Sequence, residues 1–396
     1  MGKKKAKKSK KFALLALLVV IVVVVVVVLY FIKPDLFKGN GGTTRNNDIS
    51  EGDFNDINSA DLSIHFIKFD NDEAGDSTLI KCGNTEVLID AGSTQSSAAT
   101  IKKYINQYVT DGKLEYVIAT HADQDHIAGL VGTSSGNSYN GILYSYNIGT
   151  IIRFDKTNKD TVTDAGNPTL YGRFETAVEY AVNNKGAVAY TGLQCSKEQD
   201  GASKIYYLND SHTVSMTILY NYFYDHNSSD ENNYSVCMLL KQDLGEGNVK
   251  NYLFTGDLEE KGEEYLVEYN TLPEVELFKA GHHGSPTSSN DCLLSVIKPK
   301  YVAVCCCAGT DEYTKTPANQ FPSQAFINRV APYTDCVYVT NMISNNKDKY
   351  EPMNGNIVFY VKEREIKLWC SNSTKKLKEW EWFKENRTCP SAWAHN

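Results

Sequence analysis

Two short clusters of histidine and aspartate carry the chemistry of this chain. The first is His121-Ala122-Asp123-Gln124-Asp125-His126, and the second is Gly281-His282-His283-Gly284-Ser285; Thr255-Gly256-Asp257 lies between them. Half of the eight histidines fall in these motifs. Imidazole nitrogen and carboxylate oxygen are ligands for divalent metals. On a tight loop after a strand, alternate side chains point at neighbouring positions. His121 and Asp123 then serve one ion and Asp125 and His126 a second, with Asp257 bridging and His282 or His283 completing the set. Two ions about 3.5–4 Å apart activate a bridging water and stabilise an oxyanion. A lone His-Asp pair is more often a solvated hydrogen-bonded pair, but four ligand-type residues in six positions, with a second histidine pair downstream, are too dense for that reading.

The surrounding elements must bring these segments together. Leu62 to Phe69, Ser77 to Lys81, Glu86 to Ile89 and Leu114 to Ala119 are apolar or alternating runs separated by Gly, Asn and Asp, which predicts strands. The first cluster follows the last of these. Val214 to Tyr220, Ser235 to Lys241, Asn251 to Thr255, Glu274 to Lys279, Tyr301 to Cys306, Cys336 to Thr340, Gly355 to Val361 and Glu365 to Trp369 read as further strands. Ala98 to Val109, Phe174 to Val182 and Ser323 to Val330 have helical spacing. Gly256, Gly281 and Gly284 permit close approach and unusual backbone angles beside the ligands. Many strands with few helices suggest one α/β domain with two sheets.

The first 60 residues read differently. Residues 1–11 hold seven lysines and no acid, and residues 12–32 hold no charge. As a helix, such a segment spans about 30 Å, the thickness of a bilayer core. The apolar run is too long for a signal peptide and lacks a small-residue cleavage site, so an uncleaved anchor is expected. The lysines place the N-terminus in the cytoplasm and the rest of the chain outside. The expected organisation is a basic tail (1–11), a transmembrane helix (12–32), a flexible linker (33–60), a hydrolase domain (61–371) and a C-terminal tail (372–396). Without the tail lysines, 33 basic residues face 48 acidic ones. That balance disfavours tight non-specific nucleic-acid binding. The ten cysteines include no Cys-x-x-Cys pair, which argues against a zinc ribbon; buried free thiols are expected for most of them, with Cys370 and Cys389 a candidate late disulfide.

These motifs resemble the metallo-β-lactamase superfamily, and more narrowly the hydrolase domain of ComEC-type competence proteins. Leu88-Ile89-Asp90-Ala91-Gly92 is similar to the superfamily's first motif, and Gly75-Asp76-Ser77 to an early segment of the narrower group. The His121–His126 run matches the second motif, with Asp123 where many members have histidine. Asn232-Asn233-Tyr234-Ser235, Thr255-Gly256-Asp257 and Lys279 to Ser285 match later motifs, whereas Phe321-Pro322 stands where relatives commonly have His-Pro. The resemblance implies a four-layer αββα sandwich with the metals at one rim. It also implies support for the metal loop from Asp76 and Asp90, and orientation of substrate or water by Asn233 and Ser235.

The sequence therefore predicts a membrane-anchored, extracytoplasmic hydrolase that uses two divalent ions, Mn or Zn, and a metal-bound hydroxide. Asp125, Asp257, Asn233 and Ser235 are its candidate catalytic residues; the metal ligands are His121, Asp123, Asp125, His126, Asp257, His282 and His283. A phosphodiester, in a small molecule or a nucleic acid, is the favoured substrate. The alternatives are a lactamase, lactonase or other envelope-ester hydrolase, and a metal-binding ectodomain without turnover. The bilayer is the expected partner through residues 12–32; protein partners are unassigned. Superfamily members usually supply a third histidine between the second motif and Gly-Asp. His226 is the candidate here, although an exposed polar loop is the simpler reading of its surroundings.

Overall fold

A computed structural model describes residues 49–394, except 136–137 and 345–348. The predicted basic tail and transmembrane helix lie outside the described residues. Among the described residues, no helix is long and apolar enough to cross a membrane.

The chain forms β1 (Ser63–Phe66), β2 (Thr78–Cys82), β3 (Thr85–Ile89), β4 (Lys113–Ala119), the short pair β5 (Ser134–Ser135) and β6 (Ser138–Tyr139), β7 (Asn147–Arg153) and β8 (Val188–Thr191). Then follow β9 (Ile205–Tyr207), β10 (Val214–Ile218), β11 (Met238–Asp243), β12 (Val249–Phe254), β13 (Leu277–Lys279), β14 (Tyr301–Ala308), β15 (Val337–Ile343), β16 (Tyr350–Pro352), β17 (Ile357–Lys362) and β18 (Glu365–Cys370). One eight-stranded sheet has the order β18-β17-β1-β2-β3-β4-β7-β8, and the other β16-β15-β14-β13-β12-β11-β10-β9. Each sheet has a parallel part: β3, β4, β7 and β8 in the first, and β12 to β15 in the second.

Side-chain alternation builds the layers. Tyr252, Phe254, Ala303 and Cys305 face the core that both sheets share, where Phe66 of β1 stacks on Phe254 of β12 at 6.3 Å. The intervening Leu253, Val302, Val304 and Cys306 pack instead with Leu293, Leu294, Phe326 and Ile327 from helices Asp291–Ile297 and Gln324–Val330. Mixed α/β structure with two large sheets fits the expected metallo-β-lactamase sandwich.

Three expectations need correction. The linker ends earlier than residue 60, because Glu51–Asn58 is a helix capped by Ser50, with Phe54 and Ile57 buried. Residues 372–394 are not a loose tail: Leu377, Trp382, Phe383 and Trp393 are buried in the second core. Burying several large aromatic side chains outweighs the missing periodicity. All ten cysteines are unpaired, Cys370 and Cys389 included.

Candidate metal centre

The parallel strands bring the motifs to one rim, since ligands in such sheets gather beyond the carboxyl ends of the strands. Asp90 follows β3, His121 follows β4, Asp257 follows β12, and His282 and His283 follow β13. The first cluster is not a loop throughout. Asp125 and His126 belong to the first turn of helix Gln124–Val131, and Asp123 is its N-cap. A carboxylate in the first turn suits the positive end of the helix dipole. Asp123 makes no capping hydrogen bond; its carboxylate meets Lys159 Nζ at 2.6 Å and His121 Nε2 at 3.6 Å.

One ligand atom each from Asp125, His126, Asp257 and His283 lie within 4.8 Å of one another. His126 Nε2 is 3.1 Å from Asp257 Oδ2, and His283 Nε2 is 3.1 Å from Asp125 Oδ2 and 3.2 Å from Asp257 Oδ2. The opposite nitrogens are held from behind. His126 Nδ1 faces Asp90 Oδ2 at 2.8 Å, and Asp90 accepts from Thr120 N and Oγ1 at 2.8 and 2.7 Å. His283 Nδ1 donates to the Cys305 carbonyl at 2.8 Å, with Asp76 Oδ1 at 3.2 Å. His121 Nδ1 lies 3.1 Å from Thr120 Oγ1. Engaging Nδ1 outward fixes the ring and presents Nε2 inward, the usual support for a metal-binding imidazole. His121 Nε2 and His126 Nε2 are buried without a hydrogen-bond partner, as is Asp257 Oδ1. Leaving such atoms unmet is costly, so they fit a cation.

Electrostatics points the same way. Asp76, Asp90, Asp125 and Asp257 are buried around one buried ammonium, Lys279, which contacts Asp76 and lies 3.6 Å from Asp257. Burial disfavours a charged imidazole at His126, but the carboxylates of Asp257 and Asp90 outweigh it and hold its pKa well above the ordinary value. At His283, burial is likewise outweighed by Asp257 and Asp76. The site accumulates negative charge that protons or metal ions neutralise. Asp76, Asp90 and His126 form a second close set, but the Asp90–Nδ1 contact and the Lys279 ion pair already occupy it.

Three residues of the site carry left-handed backbone. Asp90, His282 and His283 have φ of 57°, 46° and 54°. Such left-handed conformations cost non-glycine residues roughly 1–2 kcal/mol each. They cluster where a site over-determines the backbone. At Gly256, φ is 54°, and a Cβ would lie 2.8 Å from Ser235 Oγ and 2.9 Å from Thr120 Cβ.

Other expected residues sit outside the four-ligand set. His282 turns away, with Nδ1 3.3 Å from Glu259 Oε1 and its ring 5.6 Å from Phe321. Ser235 Oγ accepts from Asp257 N at 3.1 Å and lies 3.5 Å from His121 Nδ1. Asn233 Oδ1 accepts from Glu259 N at 3.3 Å. His226 stacks on Tyr222 at 3.7 Å and pairs with Asp225 at 2.7 Å. His212 is exposed and stacks on Tyr207. Tyr313, which the sequence did not single out, donates to Asp125 Oδ2 at 2.8 Å. It comes from a loop far along the chain and carries no motif. Lys159, in the segment after β7, likewise carries no motif.

Residues 70–137 match the family model of the Metallo-beta-lactamase superfamily. The match contains the Asp76, Asp90 and His121–His126 segments described above. No curated protein matches the chain by sequence. Among solved structures, the chain is similar to the metallo-beta-lactamase fold protein YhfI from Bacillus subtilis: 13% identity, 70% of this chain, 95% of that one, TM-score 0.39. It is similar to a mutant of the CmlA beta-hydroxylase at 11% identity, over 68% of this chain and 48% of that one, with a TM-score of 0.34. For Rm3 metallo-beta-lactamase the values are 13%, 49%, 58% and 0.29. The chain thus spans about half of the second and third of these proteins.

A cavity of about 640 Å³ opens beside the centre, lined by Asp123, Asn158, Lys159, Asp160, Asp164 and Tyr171 among others. A larger one, about 910 Å³, includes Lys81, Cys82, Gln242 and Asp243 and lies toward the opposite strand ends. The smaller cavity is the relevant one because it reaches the ligand loop.

Proposed function

We propose that this chain is a metal-dependent hydrolase acting on an ester, a phosphodiester before others, and that residues 12–32 anchor it with the hydrolase domain outside the cytoplasm. The carrying observation is the convergence of Asp125, His126, Asp257 and His283 from three separate segments within 4.8 Å. A divalent metal bound there supplies Lewis acidity and an activated water. Asp90 and Asp76 hold His126 and His283 in register, Ser235 holds the Asp257 backbone, and Tyr313 orients Asp125.

The phosphodiester preference rests on the ComEC-like motif, with the Lys159 ammonium in the cavity wall as local support. Asp160 and Asp164 line the same cavity, which favours a small substrate over a polyanionic nucleic acid. The same cavity supports a lactone or lactam as the second reading. The test is a metal-dependent screen of residues 49–396 with a bis-aryl phosphodiester, single-stranded DNA, duplex DNA and a β-lactam. Turnover of the small phosphodiester is expected; exclusive turnover of the lactam overturns the substrate assignment. For location, protease added to intact cells removes the domain on this reading, and protection until lysis refutes it.

A further inference from the structure

We propose that Lys159 takes the place of one of the two cations, so that the chain holds a single divalent ion at Asp125, His126, Asp257 and His283. This inference rests on the metal-hydrolase reading and narrows it.

Ligand supply comes first. The position beside the four-ligand set is offered His121, Asp123 and a share of Asp257. These three can take an ion once Asp123 is free, but no further imidazole strengthens the position among the described residues: His226 is stacked on Tyr222, His212 on Tyr207, and His282 faces Glu259. His65 is enclosed by Tyr104 and Ser63 within the first sheet.

Asp123 is also already engaged. Lys159 Nζ lies 2.6 Å from its Oδ1, while Oδ2 faces His121 Nε2 at 3.6 Å. The ammonium therefore sits on the carboxylate that a second ion requires. Its segment is fastened to the loop before β11: Asn158 N donates to Glu231 Oε2 at 2.6 Å, Asn158 Nδ2 to the Ser228 carbonyl at 3.2 Å, and Lys156 Nζ to Asn227 Oδ1 at 3.1 Å. Lys159 is thus delivered to Asp123 by a pinned segment, although its side chain is 44% exposed. That exposure lies toward the 640 Å³ cavity, where the same ammonium can meet an anionic substrate. A fixed monovalent charge neutralises Asp123 and attracts the substrate, two tasks that a second metal otherwise combines, and it repels a second divalent ion.

The experiment measures metal content and kinetics together. Metal-stripped wild type, Lys159→Met, Lys159→Arg and His283→Ala are equilibrated with excess Mn²⁺, freed of unbound ion, and assayed by inductively coupled plasma mass spectrometry. Wild type and Lys159→Arg are expected to retain one ion per chain, and Lys159→Met two. At one equivalent of Mn²⁺, which fills only the four-ligand position, KM for a bis-aryl phosphodiester rises about tenfold in Lys159→Met, the scale of one charge-assisted contact, while KM for a neutral aryl ester stays near the wild-type value. Two ions in the wild type, or one in Lys159→Met, overturn the stand-in role and leave the hydrolase reading intact. A wild type that takes up no ion, or a His283→Ala variant that binds metal as wild type does, overturns both.

Discussion

Replacing Gly256 by alanine tests how the Asp257 carboxylate is positioned. Gly256 has φ of 54°, and a Cβ there would meet Ser235 Oγ at 2.8 Å, Thr120 Cβ at 2.9 Å and Ser235 Cβ at 3.0 Å. These neighbours are buried: Ser235 holds the Asp257 amide, and Thr120 holds Asp90. The left-handed backbone costs alanine roughly 1 kcal/mol. Forcing a methyl into a packed site adds about 1–3 kcal/mol. Gly245 provides the control, because its φ is 79° and nothing lies within 4 Å of its Cβ position. Gly245→Ala should lose only the backbone part. Gly256→Ala should therefore be less stable than Gly245→Ala by about 1–3 kcal/mol in guanidinium unfolding. It should also hold less metal, since relief of the contact displaces groups that fix Asp257 and Asp90. Equal stabilities for the two variants, with unchanged metal content, refute the reasoning.

Asp257→Ala is expected to lower hydrolysis by at least about 10², the scale of losing a positioned catalytic group; near-normal turnover with metal still bound would remove Asp257 from the mechanism. His226→Ala should leave metal content and rate within a few-fold, because His226 packs on Tyr222 away from the ligands, whereas Ser235→Ala leaves the Asp257 amide unpaired and should cost about 1–3 kcal/mol of stability by chemical unfolding. The acid limb of stability should carry a contribution from His65, whose pKa burial, and then Lys81, lowers to about 3. Its stabilising contribution is complete above the unfolded value near 6.5 and is lost as pH falls toward 3, by up to about 1.4 kcal/mol per pH unit. In His65→Asn that limb should be shallower; identical slopes for wild type and variant would count against the buried neutral ring.

Much of the scaffold was legible because the strands carry their pattern locally. Leu114 to Ala119 and Tyr301 to Cys306 are apolar runs that predict strands, and the observed strands are Lys113–Ala119 and Tyr301–Ala308. β7 and β8 carry no such signal. Gly149 and Thr150 dilute the first, and the second has intermediate or exposed side chains throughout. The helix starting at Gln124 was hidden because its first turn consists of polar ligand residues, whose types advertise chemistry rather than helix. At the site, Asp90, His126, Asp257 and His283 stood in recognisable motifs. The choice between His282 and His283 did not follow from the sequence: it depends on two consecutive left-handed residues, which sends one ring to Asp125 and the other to Glu259. Lys159 and Tyr313 reach the ligands only through tertiary packing, so their spacing holds no signal.

The central claim is that the clustered aspartates and histidines make a metal-dependent hydrolase. The most direct measurement strips the purified domain of metal, then follows hydrolysis of a bis-aryl phosphodiester as Mn²⁺ or Zn²⁺ is returned, with His283→Ala alongside. Activity should vanish on chelation and return with the ion in wild type, with Mn²⁺ at least as effective as Zn²⁺, because carboxylate oxygens supply two of the four ligands; His283→Ala should stay inactive. Hydrolysis that survives chelation, or stoichiometric metal binding without turnover of any ester offered, would contradict the account.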